Sequence, residues 1–302
     1  MSMAGSLDVF QGMAKAGTVG LFQGTVYGLL AVGLVLVYKG TRVFNFAQGE
    51  FGTVAAFVAW ALLSYAGMPY WAAFGVALIA AVALGLLVEQ TVVRPLFDAS
   101  RITLLVATVG VALLLIGLTV LIAQPEPRVM EPAIAGSGVT VFGAGIGPQQ
   151  FLVVGVLIAV AVGLAWFFSR TDLGLAVLAT SQDSFASRAV GISTPMVSRL
   201  IWGLAALLGG LAGLLQAPIG VFTPGFMTAT TLVPAFTAAV LGGMTSLPGA
   251  FVGGVLIGLA RGIGDHLLGV ELGVPGSSEL TVFLLLMLVL LIRPQGLLGK
   301  EA

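Results

Sequence analysis

The chain contains no cysteine and a single histidine, His266. Without a thiol it forms no disulfide, thiolate metal site, cysteine nucleophile or iron–sulfur cluster, and one imidazole cannot build a histidine metal cage. Charge is nearly as scarce: 8% of the 302 residues are Asp, Glu, Lys or Arg, against about a quarter in an ordinary soluble domain. The 12 basic and 12 acidic residues cancel, which removes the electrostatic case for nucleic acid as a partner. Enzyme signatures are missing too. There is no HExxH, no GxSxG and no GxxxxGK[ST], and Gly299 and Lys300 are followed by Glu301, so the end of the chain is not a Walker loop. Gly143, Gly145 and Gly147 lack the spacing and following helix of a dinucleotide fingerprint. The expectation is a non-catalytic chain with no cofactor, metal or catalytic residue of its own. If it does active work, the energy comes from an ion gradient or from ATP bound by separate subunits.

What the chain has instead is apolar length. With 59% apolar residues and about 20 needed to span a bilayer, the fold class is all-α and polytopic, a single transmembrane domain over 1–302 with eight to nine spanning helices. Continuous runs without alternation exclude barrel strands. The runs fall near 17–38, 43–66, 70–88, 102–123, 151–168, 200–220, 232–245, 248–264 and 277–292. Two are short. The 232–245 run covers about 20 Å at 1.5 Å per residue and carries Pro234, so a re-entrant or broken helix and a full crossing both fit. The last run must begin its helix near Ser277 or Ser278 to approach bilayer thickness. The N-terminus has only Lys15 as a basic residue before the first run and lacks the order of a cleavable signal peptide, so the first span is expected to be retained.

Basic residues set the orientation. With nine crossings, Lys39, Arg42, Arg94, Arg101, Arg170, Arg188, Arg199, Arg293 and Lys300 share one side, and Lys15, Arg128 and Arg261 the other. Nine against three places the N-terminus outside and the C-terminus in the cytoplasm. With 232–245 re-entrant, Arg293 and Lys300 fall outside and the bias weakens. Two loops stand out. The outer one, 124–150, suits a small hairpin. The inner one, 169–199, offers a short helix from Asp183 to Ala189 that stops at Gly191, either a solvated connector or an arm that passes a push from a soluble partner to the spans.

Few polar residues lie inside the runs. Glu50, in Val43–Phe51, follows Asn45 and Gln48, which suit N-cap and N3 positions of a capping box; Arg42 is a candidate counter-ion. Helix-start structure and a role in transport or subunit contact both remain open for Glu50, since intramembrane carboxylates are costly unless used. Gln23, Thr25 and Tyr27 could line a path or bond a neighbouring helix. Gly20, Gly24 and Gly28 recur every four residues, as do Gly254, Gly258 and Gly262, with a shorter version at Gly209 and Gly213. Such stripes mark close helix contact, within the chain or with a second membrane subunit.

Several blocks carry a family resemblance. Gly28–Phe51 holds a small-residue helix ending in a tyrosine, followed by Asn45, Gly49 and Glu50 in an N-F-A-H-G-E-like motif with Gln48 in the histidine position. Thr180–Gly191, Ala205–Gly213, Ala239–Gly254 and Arg293–Leu298 follow in the family's order. The chain thus resembles the LivH-like permeases of bacterial branched-chain amino acid ABC importers, whose close relatives serve urea and short amides. The resemblance implies an importer subunit in the bacterial cytoplasmic (inner) membrane, surrounded by lipid. Its implied partners are a second homologous permease, two ABC ATPase subunits and an extracytoplasmic substrate-binding protein. It implies alternating access driven by the ATPases, with Asp183, Ala186, Arg188, Ala189 and Gly191 forming the coupling helix. The competing expectation is an ion-gradient-driven secondary transporter using Glu50, which would want inverted repeats and broken helices meeting at mid-membrane.

Overall fold

The computed structural model describes residues 3–293 and 295–299; Pro294, Lys300 and Glu301, which entered the sequence reading, lie outside the described residues. The helices are α1 (Met3–Thr41), α2 (Gln48–Ser64), α3 (Tyr70–Val88), α4 (Arg101–Ala123), α5 (Pro148–Arg170), α6 (Asp172–Gln182), α7 (Ser184–Ala189), α8 (Thr194–Gln216), α9 (Val233–Gly242), α10 (Leu247–Gly264) and α11 (Ser277–Ile292). Between α4 and α5 the chain forms one antiparallel hairpin, β1 (Val139–Val141) with β2 (Ala144–Ile146), turning at Phe142 and Gly143 with φ 48° and 80°. Among the described residues six helices are long and apolar enough to cross a membrane: Val9–Thr41, Tyr70–Leu96, Arg101–Ala123, Pro148–Arg170, Thr194–Ile219 and Leu247–Glu271. Thr228–Gly242 and Ser277–Ile292 are shorter apolar helices.

The first helix is the axis of the fold. Val26 to Val37 is almost wholly buried, which a helix reaches only when protein surrounds it on every side. The helix begins near Met3, well before the 17 expected from hydropathy. No proline interrupts residues 3–41, and apolar runs mark only the part of a helix that lies in lipid. Gly12 packs on the His266 imidazole at the far end, so the extra turns have a neighbour to lie on.

Small residues let that axis be enclosed. The two expected glycine stripes are the two sides of one antiparallel crossing. A Cβ on Gly24 would stand 2.7 Å from the Gly254 carbonyl oxygen and 3.1 Å from the Gly258 Cα, and one on Gly258 would overlap the Gly20 carbonyl and the Gly24 backbone. Gly262 abuts Ala16 and Gly20, while Gly28 is looser, 3.4 Å from the Phe251 carbonyl oxygen. Backbones this close gain dispersion contact that side chains would prevent. A second crossing joins α2 to α8, where a Cβ on Gly52 would lie 2.6 Å from the Gly209 carbonyl oxygen and Gly213 abuts the Gly52 backbone. A third joins α9 to α10 through Gly242 and Gly249.

Two helices start inside the bundle. After α1 the chain turns at Arg42, left-handed at φ 57°, and residues 43–47 re-enter the protein before α2 begins. A Cβ on Gly33 would meet the Gln48 side chain, so α2 starts opposite Gly33. That level is eight residues before Thr41, about 12 Å at 1.5 Å per residue. The other is α9. The chain between Ala217 and Met227 is largely irregular, then a wide π turn at Thr228–Leu232 leads into Val233–Gly242. Pro234 sits in the first turn of α9, where a missing N–H is tolerated. Most of the 232–245 stretch thus lies in one short apolar helix, Thr228–Gly242, that follows irregular chain. Its C-terminal carbonyls are satisfied by the end of the chain: the Leu297 amide donates to the Leu241 oxygen at 2.7 Å and the Leu298 amide to the Gly242 oxygen at 3.1 Å.

Candidate functional site

Two places gather polar groups that an apolar bundle has reason to avoid. The first is the junction where α2 and the π turn before α9 begin. Asn45, Gln48, Glu50 and Thr53 are wholly buried there, and a Cβ on Gly49 would lie 2.9 Å from the Thr228 hydroxyl and 3.0 Å from its amide nitrogen. Irregular backbone at this depth is tolerated because protein rather than lipid surrounds it. Thr108 of α4 holds it in place, donating to the Phe44 oxygen at 3.0 Å while accepting from the Phe46 amide at 3.3 Å. Phe44 stacks on Tyr38 with centroids 4.7 Å apart, and both Phe44 and Phe46 lean on Phe236 of α9.

The capping box expected at Asn45 and Gln48 does not form. The residue before α2 is Ala47, which makes no side-chain cap. Asn45 Oδ1 accepts from the Ala47 amide at 3.0 Å and Asn45 Nδ2 donates to Gln48 Oε1 at 3.1 Å. Gln48 Nε2 then donates across to the Ala205 oxygen of α8 at 2.7 Å. Gln48 therefore ties α2 to α8, and a tight turn closed by Asn45 replaces the box because the chain must bend back before the helix starts.

Glu50 points its carboxylate beside the hydroxyls of Thr53 and Thr228. Among the described residues neither carboxylate oxygen makes a hydrogen bond of normal geometry. Arg42 is not its counter-ion. The left-handed turn carries the Arg42 guanidinium over the Tyr38 ring, 5.9 Å from the centroid, and the ion pairs among the described residues lie elsewhere. What the Glu50 carboxyl faces instead is the Thr228 hydroxyl and amide beside the N-terminal end of α2.

The second place is the 169–199 segment, which is mostly helical. Thr171 caps α6 by accepting from the Gly174 amide at 3.0 Å. Asp183 caps α7, its Oδ1 accepting from Phe185 and Ala186 amides at 2.8 and 2.9 Å. Gly191 stops the helix at φ 88°, a conformation that suits glycine. Asp183, Ala186, Arg188, Ala189 and Gly191 are all exposed, and so are Phe185 (75%) and Val190 (77%). Helix α6 was not anticipated, since its apolar run, 173–179, is too short to stand out as a span.

The residues considered for a path are placed differently from one another. Gln23 is half-buried. Thr25 turns back to the Phe22 oxygen at 2.6 Å, and Tyr27, fully enclosed, accepts from Arg261, which also pairs with Glu279 at 3.1 Å. Reasoning from sequence missed two residues. Thr108 looks like any threonine in an apolar run. Glu89 is wholly buried with both carboxylate oxygens enclosed, and its signal was a carboxylate at the end of an apolar run.

Residues 18–292 match the family described as the permease component of branched-chain amino acid transport systems. The chain is 33% identical over 296 residues to BraD, a high-affinity branched-chain amino acid transport system permease protein of Pseudomonas aeruginosa, covering 93% of this chain and 94% of that one. It is 31% identical to the corresponding LivH of Escherichia coli with the same coverage. LivM of the same organism is 25% identical over 95% of this chain and 71% of its own length. In solved structures, a chain of PsaBC from Streptococcus pneumoniae in complex with Fab superposes with a TM-score of 0.51 at 17% identity, covering 92% of each chain. The relatives found are permease components, and none supports the ion-gradient reading.

Proposed function

Because the chain belongs to the family of branched-chain amino acid transport permease components, we propose that it translocates a branched-chain amino acid or a related small polar solute as one permease of an ABC importer. It is a multi-pass protein of the cytoplasmic membrane. In this reading an extracytoplasmic binding protein delivers the solute, a second homologous permease completes the pathway, and two ATPase subunits supply the energy. The likeness of this one chain to both LivH and LivM of E. coli favours a pair of related permeases.

The observation that carries the coupling role is the α6–α7 arm. It bridges two long helices, α5 and α8, and α7 is capped at Asp183, stopped at Gly191 and carries exposed Phe185 and Val190. A capped helix moves as a unit, so a partner gripping the apolar pair would push α5 and α8 together. ATP favours the closed ATPase pair, and that differential affinity gives the step direction. We read the bundle as nine segments that cross or nearly cross, α1 to α5 and α8 to α11, with the N-terminus outside. Arg42, Arg188, Phe97 and Thr194 line one cleft, in keeping with the ends of α1, α3, the arm and α8 lying on one cytoplasmic face.

The test is a gentle detergent pull-down of the tagged protein from native membranes, with and without Arg188→Glu plus Gly191→Pro. An ATPase and a second permease should accompany the wild type, and the ATPase alone should leave the double variant. Absence of an ATPase from the wild type, under conditions that preserve other membrane complexes, overturns the importer reading.

A further inference from the structure

Two chambers meet around Arg42, on the face that the proposed orientation makes cytoplasmic. One, of about 950 Å³, lies between α1, α5, α6 and α10, and its walls are mostly apolar, with Val162, Ala165, Phe168, Leu247 and Phe251 among them. The other, of about 490 Å³, is bounded by hydroxyls of Thr180, Ser184, Thr194 and Ser198 and by Arg188. Arg42, Ser181 and Gln182 line both. Lys39 adds a further basic group to the apolar chamber.

We propose that this paired cleft binds one anionic phospholipid of the inner leaflet, headgroup among Arg42, Arg188 and the hydroxyls, acyl chains in the apolar chamber. Three features select this occupant. Among the described residues neither chamber is lined by an Asp or Glu, so the ammonium of an amino acid finds no counter-charge there while an anion finds the guanidinium groups of Arg42 and Arg188. A free small anion would leave the larger apolar chamber unused, whereas a lipid fills both at once. The apolar chamber is also open at the side: Val162, on its α5 wall, is 65% exposed, which gives acyl chains a lateral way in. Basic pockets between helices at this depth attract acidic headgroups. The headgroup would then sit against α6 and Ser184, the first residue of α7, making the coupling arm's position depend on lipid.

The inference rests on the cytoplasmic placement of the arm, which is checked separately. The chain has no cysteine, so Ser181→Cys reports sidedness alone; labelling from outside intact cells overturns the orientation whatever the lipid result. For the lipid itself, the complex is purified from native membranes, washed with detergent, and its retained lipid measured by mass spectrometry. Wild type should keep phosphatidylglycerol or cardiolipin in preference to phosphatidylethanolamine. Arg42→Ala with Arg188→Ala should retain about thirtyfold less, from roughly 1 kcal/mol per basic residue, while Lys15→Ala, exposed near the other end of α1, should match wild type. Ala165→Trp, which keeps every charge but fills the apolar chamber, should also expel the lipid, and both variants are compared as monodisperse, wild-type-sized complexes. Equal retention in either variant, equal retention of zwitterionic lipid, or capture of a polypeptide by a photo-crosslinker at position 165 overturns the proposal.

Discussion

The α1–α10 crossing and the α6–α7 arm are both rich in small residues, yet glycine does opposite work in them. At the crossing, Gly20, Gly24, Gly254 and Gly258 are needed for what surrounds them, because a Cβ at each would meet backbone. In the arm, Gly191 has open space around it and is needed for its own backbone angle, φ 88°. The first glycines bring two long helices together so that they behave as one body. The second ends a short helix at a fixed place while leaving its surface free. A transporter driven from outside the membrane requires both, a rigid part to be moved and a handle with sharp ends.

The largest effect should come from the rigid part. Gly258→Leu forces a side chain into the Gly20 and Gly24 backbone, where no flexible atom can yield. It should cost about 3 kcal/mol or more and remove most of the monodisperse protein in detergent size-exclusion. Wild-type yield and melting temperature would mean that the crossing is looser than described. Next is Gln48→Ala, which strips the Ala205 oxygen and the Asn45 amide of their partner, about 1–3 kcal/mol for buried groups left unpaired. Gln48→His, able to donate from Nε2, should recover part of that loss in the same thermal scan, and failure to do so would point to shape rather than hydrogen bonding.

The arm should behave otherwise. Asp183→Ala removes the α7 cap, about 1 kcal/mol, and should speed amide exchange over 184–189 while the global melting temperature barely moves. ATPase stimulation by the loaded binding protein should fall further than stability does. If the melting temperature instead drops as in Gly258→Leu, the arm belongs to the core and the contrast fails. The smallest change expected is Gly110→Ala on α4, where a Cβ meets nothing. It should stabilise by up to about 1 kcal/mol through helix propensity, visible as a small rise in melting temperature.

Much of the candidate site was legible along the chain because its signals are local. Asp183 caps and Gly191 stops α7 through neighbours two or three residues away, so residue type and spacing suffice. The junction was legible only as a motif. Asn45, Gln48 and Glu50 stand out as polar residues in an apolar run, but Gln48 bonds Ala205, Glu50 lies beside Thr228, and Thr108 pins the backbone on either side of Asn45, all from far along the chain. A capping box was the reasonable local guess. It gave way because the chain first bends back at Arg42, and a left-handed arginine leaves no mark in the sequence.

Composition and apolar run length by themselves determined that this is a helical membrane protein, because a bilayer admits little else from a chain with 59% apolar and 8% charged residues. The four-residue spacing of the glycines determined that helices would touch closely. Which helices touch, that α2 and α9 begin inside the bundle, and that the chain's end closes α9 through Leu297 and Leu298 were decided only in three dimensions. Lipid supplies no hydrophobic drive between helices, so the choice of neighbour falls to backbone fit and to buried hydrogen bonds between distant residues.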